Sequence, residues 1–413
     1  MESKGKLASD ELPANETPAY SGRRLIELDS LRGLAACSVA IYHLVLGWFS
    51  FRQPAGITSV LLKTLYPIYA GPEAVRLFFV LSGMVLAISF GYERQRQSYR
   101  SFLSKRVMRI YIPYLFALIL AVLGASKWHG PIDHSAIKNC CWSDPVSPAL
   151  VLQHVLFIGD YDFGQLNPVF WSLVHEMRIS IIFPLLFMVV RRLTNRGAIL
   201  LAGGCTLSSM LILRLLPQFV SPILPMSCVM TVHYLALFIM GILLARNLGG
   251  ISMWYARQSN ARRLALLLFS LVIYSFTGIV SQALFGSHLK LVIGLSDWGT
   301  AAGAAGIIVT CHSSLRARLF LHSKVPLFLG RISYSLYLIH IPILLALVFS
   351  LQQIGAAREI VIVPAYFLAS LVAAYTFCVL IEEPFLRLGK HVGRAVGHNH
   401  QSWIWTRIAA IRG

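Results

Sequence analysis

Apolar runs long enough to cross a bilayer recur along almost the whole of this 413-residue chain. A helix that crosses the hydrocarbon core needs roughly 20 apolar residues. Ten runs come close to that length: 31–50, 74–91, 108–125, 168–190, 198–216, 228–246, 263–282, 289–310, 332–351 and 361–382. The run at 289–310 is the least apolar, because it holds Asp297 and several glycines. The stretch 149–158 is apolar but short, and reads as a re-entrant or interfacial segment. Only 13% of the residues are charged, about half the share of a soluble domain. A disordered chain and an ordinary soluble enzyme are both excluded. The expected fold is an all-α integral membrane protein, a bundle of about ten transmembrane helices.

Charge between the runs gives an expected orientation. With the N-terminus placed in the cytoplasm, 27 of the 36 lysines and arginines fall in segments on that side, 8 fall on the other side, and Arg178 lies inside a span. Positive residues collect on the cytoplasmic side of membrane proteins, so both termini are expected there. The formal net charge of +19 then reflects topology and attraction to anionic lipid, and nucleic acid is not an expected partner. Residues 1–24 read as a mobile cytoplasmic tail without the pattern of a cleavable signal, 25–385 as the membrane domain, and 386–413 as a basic cytoplasmic tail. The seven cysteines form no disulfide framework and no metal-ligand spacing. A nucleophile elbow, a phosphate-binding glycine loop and a metal cluster are all missing from the sequence. The two halves carry no matching interrupted helices, which counts against a secondary transporter.

Ionisable residues at membrane depth are costly and mark sites. Arg32 and His43 in the first span are eleven residues apart, which brings them within ~20° of a common helix face and ~16 Å apart along the axis. That spacing suits a long ligand with an anionic head at Arg32 and its reactive end at the imidazole. It equally suits a topology anchor and a helix-bonding histidine. Arg106 and Arg109 lie one turn apart, able to clamp phosphate, although basic helix ends are also routine at an inner surface. The fourth span places His175, Glu176 and Arg178 near mid-membrane. Glu176 and Arg178 are ~200° apart, so at least one of them needs a partner on another helix. In the ninth span Ser333, Tyr337 and His340 form a polar stripe that lines a path or joins helices. Glu382 and Glu383, at the end of the tenth span, read as structural partners for Arg331 or the third-span arginines. The long segment 126–167 carries Asp160, Asp162 and Asn167, candidates for binding an acceptor.

Taken in order, these pieces resemble the acyltransferase 3 family of integral-membrane acyltransferases, which modify carbohydrates at bacterial surfaces. The matching residues are Leu28-Asp29-Ser30-Leu31-Arg32-Gly33-Leu34 with His43, Leu77-Phe78-Phe79-Val80-Leu81-Ser82-Gly83, Arg106 with Arg109, Phe170-Trp171-Ser172-Leu173 with Glu176, and Ser333-Tyr334-Ser335-Leu336-Tyr337-Leu338-Ile339-His340. They cover about 25–385, with exopolysaccharide and nodulation-factor acetyltransferases as the nearest flavour. The resemblance implies a multi-pass protein of the bacterial cytoplasmic (inner) membrane. It implies transfer of an acyl group, usually acetyl from acetyl-CoA, to a hydroxyl of a surface or exported carbohydrate such as an exopolysaccharide, an O-antigen or a lipid-linked sugar. It also implies an essential His43 assisted by Arg32, Arg106 and Arg109, with Glu176 as the acidic residue of the tryptophan motif. One position departs from the family: Arg76 stands where many members carry an acidic residue.

The mechanism expected on this basis is direct transfer. His43 acts as general base, oriented by Glu176. Arg32, Arg106 and Arg109 meet the phosphates of acyl-CoA, which is a co-substrate and not a permanently bound cofactor. Ser333, Tyr337 and His340 line the acyl or acceptor path, and Asp160, Asp162 and Asn167 bind the sugar. Two other readings stay open here. One is an exporter of lipid-linked sugar with His43 and Glu176 as a proton relay. The other is the unrelated membrane-bound O-acyltransferase type, which the second- and ninth-span motifs fit poorly.

Overall fold

Every regular element among the described residues of this computed structural model is helical. Those residues are 25–49, 57–92, 98–130, 141–157, 163–216, 225–286, 290–351 and 358–398. The helices are α1 (Ile26–Phe49), α2 (Ile57–Leu65), α3 (Gly71–Tyr92), α4 (Tyr99–Arg106), α5 (Ile112–Lys127), α6 (Pro148–Leu156), α7 (Phe163–Leu166) and α8 (Phe170–Arg192). They continue as α9 (Asn195–Leu215), α10 (Met226–Ala256), α11 (Asn260–Phe285), α12 (Lys290–Ser313), α13 (Leu315–Leu321), α14 (Lys324–Ser350), α15 (Arg358–Phe377) and α16 (Glu383–His398). Nine stretches among the described residues are long and apolar enough to cross a membrane. To these α1 adds a further helix of 24 residues, which is more polar because it carries Asp29, Arg32 and His43. The protein is therefore a multi-pass helical membrane protein. The run at 289–310 is a full-length helix, α12, while the stretch 149–158 is only the nine-residue α6.

Glycines set how closely the central helices approach. Lipid gives helices no hydrophobic reason to associate, so small residues that let backbones touch carry the packing. A Cβ on Gly33 of α1 would lie 2.4 Å from backbone atoms of Leu329 and Gly330 on α14. On α3 and α10, Cβ atoms added at Gly83 and Gly241 would lie 2.3 Å from the Phe238 carbonyl oxygen and 2.2 Å from that of Val80. The glycines that made 289–310 look weak serve the same purpose. Gly299, Gly303 and Gly306 fall on one face of α12, and their added Cβ atoms would meet Thr277, Tyr274 and Ser270 of α11 at 2.1–2.4 Å.

Two helices carry a π-turn, Val107–Tyr111 between α4 and α5 and Cys378–Glu382 between α15 and α16. Such turns concentrate at functional sites because one extra residue re-aims the side chains beside it. The first turn holds Arg109. The second leads into α16, so residues through His398 continue the last span as helix. There Glu383 pairs with Arg331 at 2.7 Å and Arg387 at 3.3 Å, and Glu382 accepts a hydrogen bond from Ser335 at 2.6 Å. At this same end, called the arginine end below, Ser98 and Thr194 cap α4 and α9 by accepting backbone N–H bonds. Arg246 donates there to the carbonyls of Val190 and Leu193.

The described part of the 126–167 segment is fastened to the bundle. Trp142 is buried against Gly124 and donates from Nε1 to the Leu166 carbonyl at 3.1 Å. The Tyr111 and Tyr114 hydroxyls donate to the carbonyls of Val155 and His154. Helix α6 ends on Phe157 in a left-handed conformation (φ 55°), and the Phe157 carbonyl accepts from Arg178 at 2.7 Å.

Candidate active site

Three arginines from two helices converge on one cavity. Arg32 comes from the second turn of α1, Arg106 from the end of α4 and Arg109 from the π-turn that follows. All three line a cavity of about 740 Å³ including its open mouth, together with Ser82, Ser172, Glu176, Ser333, Tyr334 and Tyr337. Phe78, Phe79, Val75, Val85, Ile110 and Leu173 supply its apolar wall. Ligand sites share this kind of lining, apolar with a few convergent polar groups. Three guanidinium groups against the single carboxylate of Glu176 leave an excess of positive charge, and planar guanidinium forks suit phosphate oxygens.

His43 is reached from this cavity through a chain of neighbouring side chains. Tyr337 lines the cavity, its ring meets Phe78 edge-to-face at 5.7 Å, and its hydroxyl lies 2.6 Å from Ser172 Oγ and 3.1 Å from the Val169 carbonyl. One turn further along α14 is His340, fully buried, whose ring centroid is 6.1 Å from that of Tyr337. His340 Nε2 lies 3.2 Å from His43 Nδ1.

These contacts assign the protons of the neutral imidazole pair. His340 Nδ1 faces the Leu336 carbonyl at 3.0 Å, so it carries the hydrogen and Nε2 keeps a lone pair. His43 Nδ1 faces both that lone pair and the Val39 carbonyl, the latter at 2.9 Å. Only a protonated Nδ1 satisfies two acceptors. The bare nitrogen of the half-buried His43 is therefore Nε2, free to take a proton.

Glu176 does not hold His43. Among the described residues its hydrogen bond comes from Ser82 Oγ, at 3.1 Å, and it belongs to the wall of the arginine cavity. Depth along the helix was all that linked Glu176 to His43 in the sequence. Ser172 bonds Tyr337, Glu176 lies one turn from Ser172 toward the arginines, and His340 lies one turn from Tyr337 the opposite way, so Glu176 and His43 differ in depth and His340 takes the place beside His43. Arg178 turns away from Glu176, bonding Ser227 Oγ at 3.0 Å and the Phe157 carbonyl, and His175 bonds Thr231 at 2.8 Å.

The remaining expected residues divide. Ser333 and Tyr337 line the arginine cavity, and the Ser333 hydroxyl also bonds the Gly330 carbonyl at 3.0 Å. His340 contacts His43 instead of lining the path. Asn167 is fully buried and holds backbone: its amide donates to the Leu338 carbonyl at 3.0 Å, and its oxygen accepts from the Val169 N–H at 3.3 Å. It ties the start of α8 to α14 instead of meeting acceptor. Asp160 and Asp162 lie outside the described residues. Sequence reasoning missed roles for Ser82, Ser172 and Tyr334. All three sit inside motifs that carried the family resemblance, and that was the available signal.

A profile describing an acyltransferase domain matches residues 25–383. Acyltransferase MdmB of Streptomyces mycarofaciens is 26% identical over 341 residues, covering 77% of this chain and 78% of that protein. O-acetyltransferase OatA of Staphylococcus aureus is 27% identical over 348 residues, covering 79% of this chain and 51% of its own length. O-acetyltransferase PaAT-1 of Phomopsis amygdali is 22% identical over 210 residues, covering 41% of each protein. The chain thus spans only about half the length of OatA. No solved structure is a significant match.

Proposed function

This chain belongs to the acyltransferase domain family, and from that premise we propose that it moves an acetyl group from acetyl-CoA, or another acyl-CoA, to a hydroxyl of a carbohydrate. The acceptor class is a cell-surface or exported carbohydrate, and the setting is the bacterial cytoplasmic membrane with the arginine end in the cytoplasm. The observation that carries this reading is the three-arginine cavity joined through Tyr337 and His340 to His43. Two relatives bear the name O-acetyltransferase, which supports acetyl transfer to oxygen.

The chemistry follows from the geometry. A carbohydrate hydroxyl is a weak nucleophile at neutral pH. His43 Nε2 takes its proton as the oxygen attacks the thioester carbonyl carbon. The carbon–oxygen bond forms, the carbon–sulfur bond breaks, and the thiolate of CoA leaves and accepts the proton from the imidazolium. His340 keeps the Nδ1 proton of His43 in place, so that Nε2 is the basic atom. This is the role of the third group in a nucleophile–base–orienter set, filled here by a neutral ring. Arg32, Arg106 and Arg109 bind the phosphates of the donor, and Ser172 and Tyr337 border the path between phosphate end and base. The ~16 Å rise from Arg32 to His43 along α1 matches a donor whose anionic head and reactive carbonyl are far apart.

The test is transfer of radiolabelled acetyl from acetyl-CoA by the purified protein in nanodiscs, with mass spectrometry of surface and lipid-linked sugars from cells with and without the gene. The expected result is CoA release coupled to a carbohydrate product heavier by one acetyl group. Transport of an unmodified lipid-linked sugar, with no thioester consumed, overturns the proposal.

A further inference from the structure

A second buried polar cluster lies on α3, α10 and α12, away from the arginine cavity. Arg76 Nε donates to Asp297 Oδ1 at 2.8 Å, and Arg76 Nη1 donates to the Pro72 carbonyl at 2.8 Å. The second oxygen of Asp297 lies 2.9 Å from His233 Nε2. Asp297 and His233 are 1% and 0% exposed. One turn before Arg76 is Glu73, buried, with both carboxylate oxygens 2.9 Å from the Tyr66 hydroxyl.

The cluster sits at the level of His43. Gly71, which begins α3, packs on Tyr42, where an added Cβ would lie 2.6 Å from the tyrosine Cβ and Cγ. The Tyr42 ring in turn meets the His43 ring at 5.3 Å. Two residues beyond Arg76, Phe78 touches Tyr337. The cluster and the arginine cavity therefore approach the same catalytic imidazole from different directions along α3.

Its bonding is incomplete in a directed way. Among the described residues Arg76 Nη2 has no hydrogen-bond partner, and the Arg76 side chain is 18% exposed, so the free edge of its guanidinium is reachable. His233 Nδ1 is buried without a partner. Glu73 receives one hydroxyl hydrogen across two oxygens and has acceptor capacity to spare. Buried polar groups left this way are costly unless something completes them.

We infer that Glu73 and Arg76, held by Asp297 and Tyr66 and flanked by the rings of Tyr42 and Tyr66, bind the acceptor, and that the acceptor is a neutral polyhydroxylated sugar at the position that reacts. This deepens the preceding reading and rests on it. A hydroxyl group is both donor and acceptor, so one hydroxyl can donate to Glu73 while accepting from Arg76 Nη2. Charge excludes the acidic alternative: Asp297 offsets Arg76, and Glu73 adds a further carboxylate, so an acidic sugar or phosphate meets no surplus of positive charge. That is the reverse of the arginine cavity, and it keeps the anionic donor and the neutral acceptor on separate surfaces around His43.

The test uses the full-length protein in nanodiscs and two probes of one shape, methyl β-D-glucopyranoside and its C6 carboxylate, methyl β-D-glucopyranosiduronic acid. The neutral glycoside should raise the melting temperature and accelerate CoA release from acetyl-CoA, and the acidic one at equal concentration should do neither. Glu73→Gln should abolish the glycoside-induced shift and raise the glycoside KM at least tenfold, while the shift induced by acetyl-CoA stays unchanged. The double variant Arg76→Met with Asp297→Leu, which removes both charges together, should do the same. Equal shifts with both probes, no shift with the neutral one, or a Glu73→Gln protein that responds like the wild type overturns the inference. A protein stabilised by the glycoside but not by acetyl-CoA counts instead against the donor assignment, because the two shifts are read separately.

Discussion

Replacing His340 separates a positioning role from a reacting one. In His340→Leu the Nε2 acceptor is lost, and His43 Nδ1 keeps only the Val39 carbonyl, 2.9 Å away. The loss is one neutral hydrogen bond, about 0.5–1.5 kcal/mol. At 1.36 kcal/mol per tenfold in rate, that corresponds to a fall in kcat of roughly 2- to 13-fold. Losing the base itself costs about 10²–10⁴-fold. The donor KM should not move, because His340 does not line the arginine cavity. His340→Gln, which returns an acceptor oxygen near the position of Nε2, should recover part of the rate. The assay is steady-state CoA release with acceptor held saturating, alongside the melting temperature of each variant. An unchanged kcat in folded His340→Leu refutes the positioning role. A fall beyond a hundredfold makes His340 a reacting group and refutes the proton assignment of the pair.

Further expectations follow from the same contacts. Arg106→Ala and Arg109→Ala should each weaken acetyl-CoA binding by roughly 10- to 150-fold, the equivalent of a charge-assisted bond worth about 1.5–3 kcal/mol; equilibrium binding at two salt concentrations checks this, and unchanged affinity in both returns them to topology anchors. Glu176→Gln should lower the melting temperature, because the three arginines lose the one carboxylate among the cavity-lining residues, while turnover per folded molecule changes far less than in His43→Ala. Gly33→Ala should destabilise the protein by about 1–3 kcal/mol through overpacking, since its new Cβ meets α14 backbone at 2.4 Å, and thermal unfolding in nanodiscs measures it.

Much of the bundle was legible because bilayer thickness fixes span length. Runs of apolar residues located the long helices, including the short α6 as something other than a span. What periodicity could not convey was the meaning of the glycines in α12. Taken along one helix they look like weakness, and only the facing side chains of α11 show them as a seam. The arginines of the cavity were legible for a related reason: Arg106 and Arg109 are local neighbours, and Arg32 stands at the start of its span. Pairings between distant helices were not legible. Glu176 and His43 both read as mid-membrane, but Glu176 sits beside Ser82 at the arginines and His43 beside His340, and no spacing within a single helix reports that. Asn167 looked like a polar residue of an outer loop. Its side chain joins α8 to α14, a contact across 171 positions of sequence. Arg76 stood out as a departure from a family pattern, and its partner Asp297, 221 positions away, was noticed only as a flaw in a weak span.

The central claim is that His43 Nε2 is the base for acyl transfer. The most direct measurement is acetyl-CoA-dependent transfer by purified His43→Ala in nanodiscs, normalised to folded protein by melting temperature and to an intact donor site by acetyl-CoA binding. The expected rate is lower by about 10²–10⁴-fold in a protein that still folds and still binds acetyl-CoA. Near-normal turnover in that folded, donor-binding variant contradicts it.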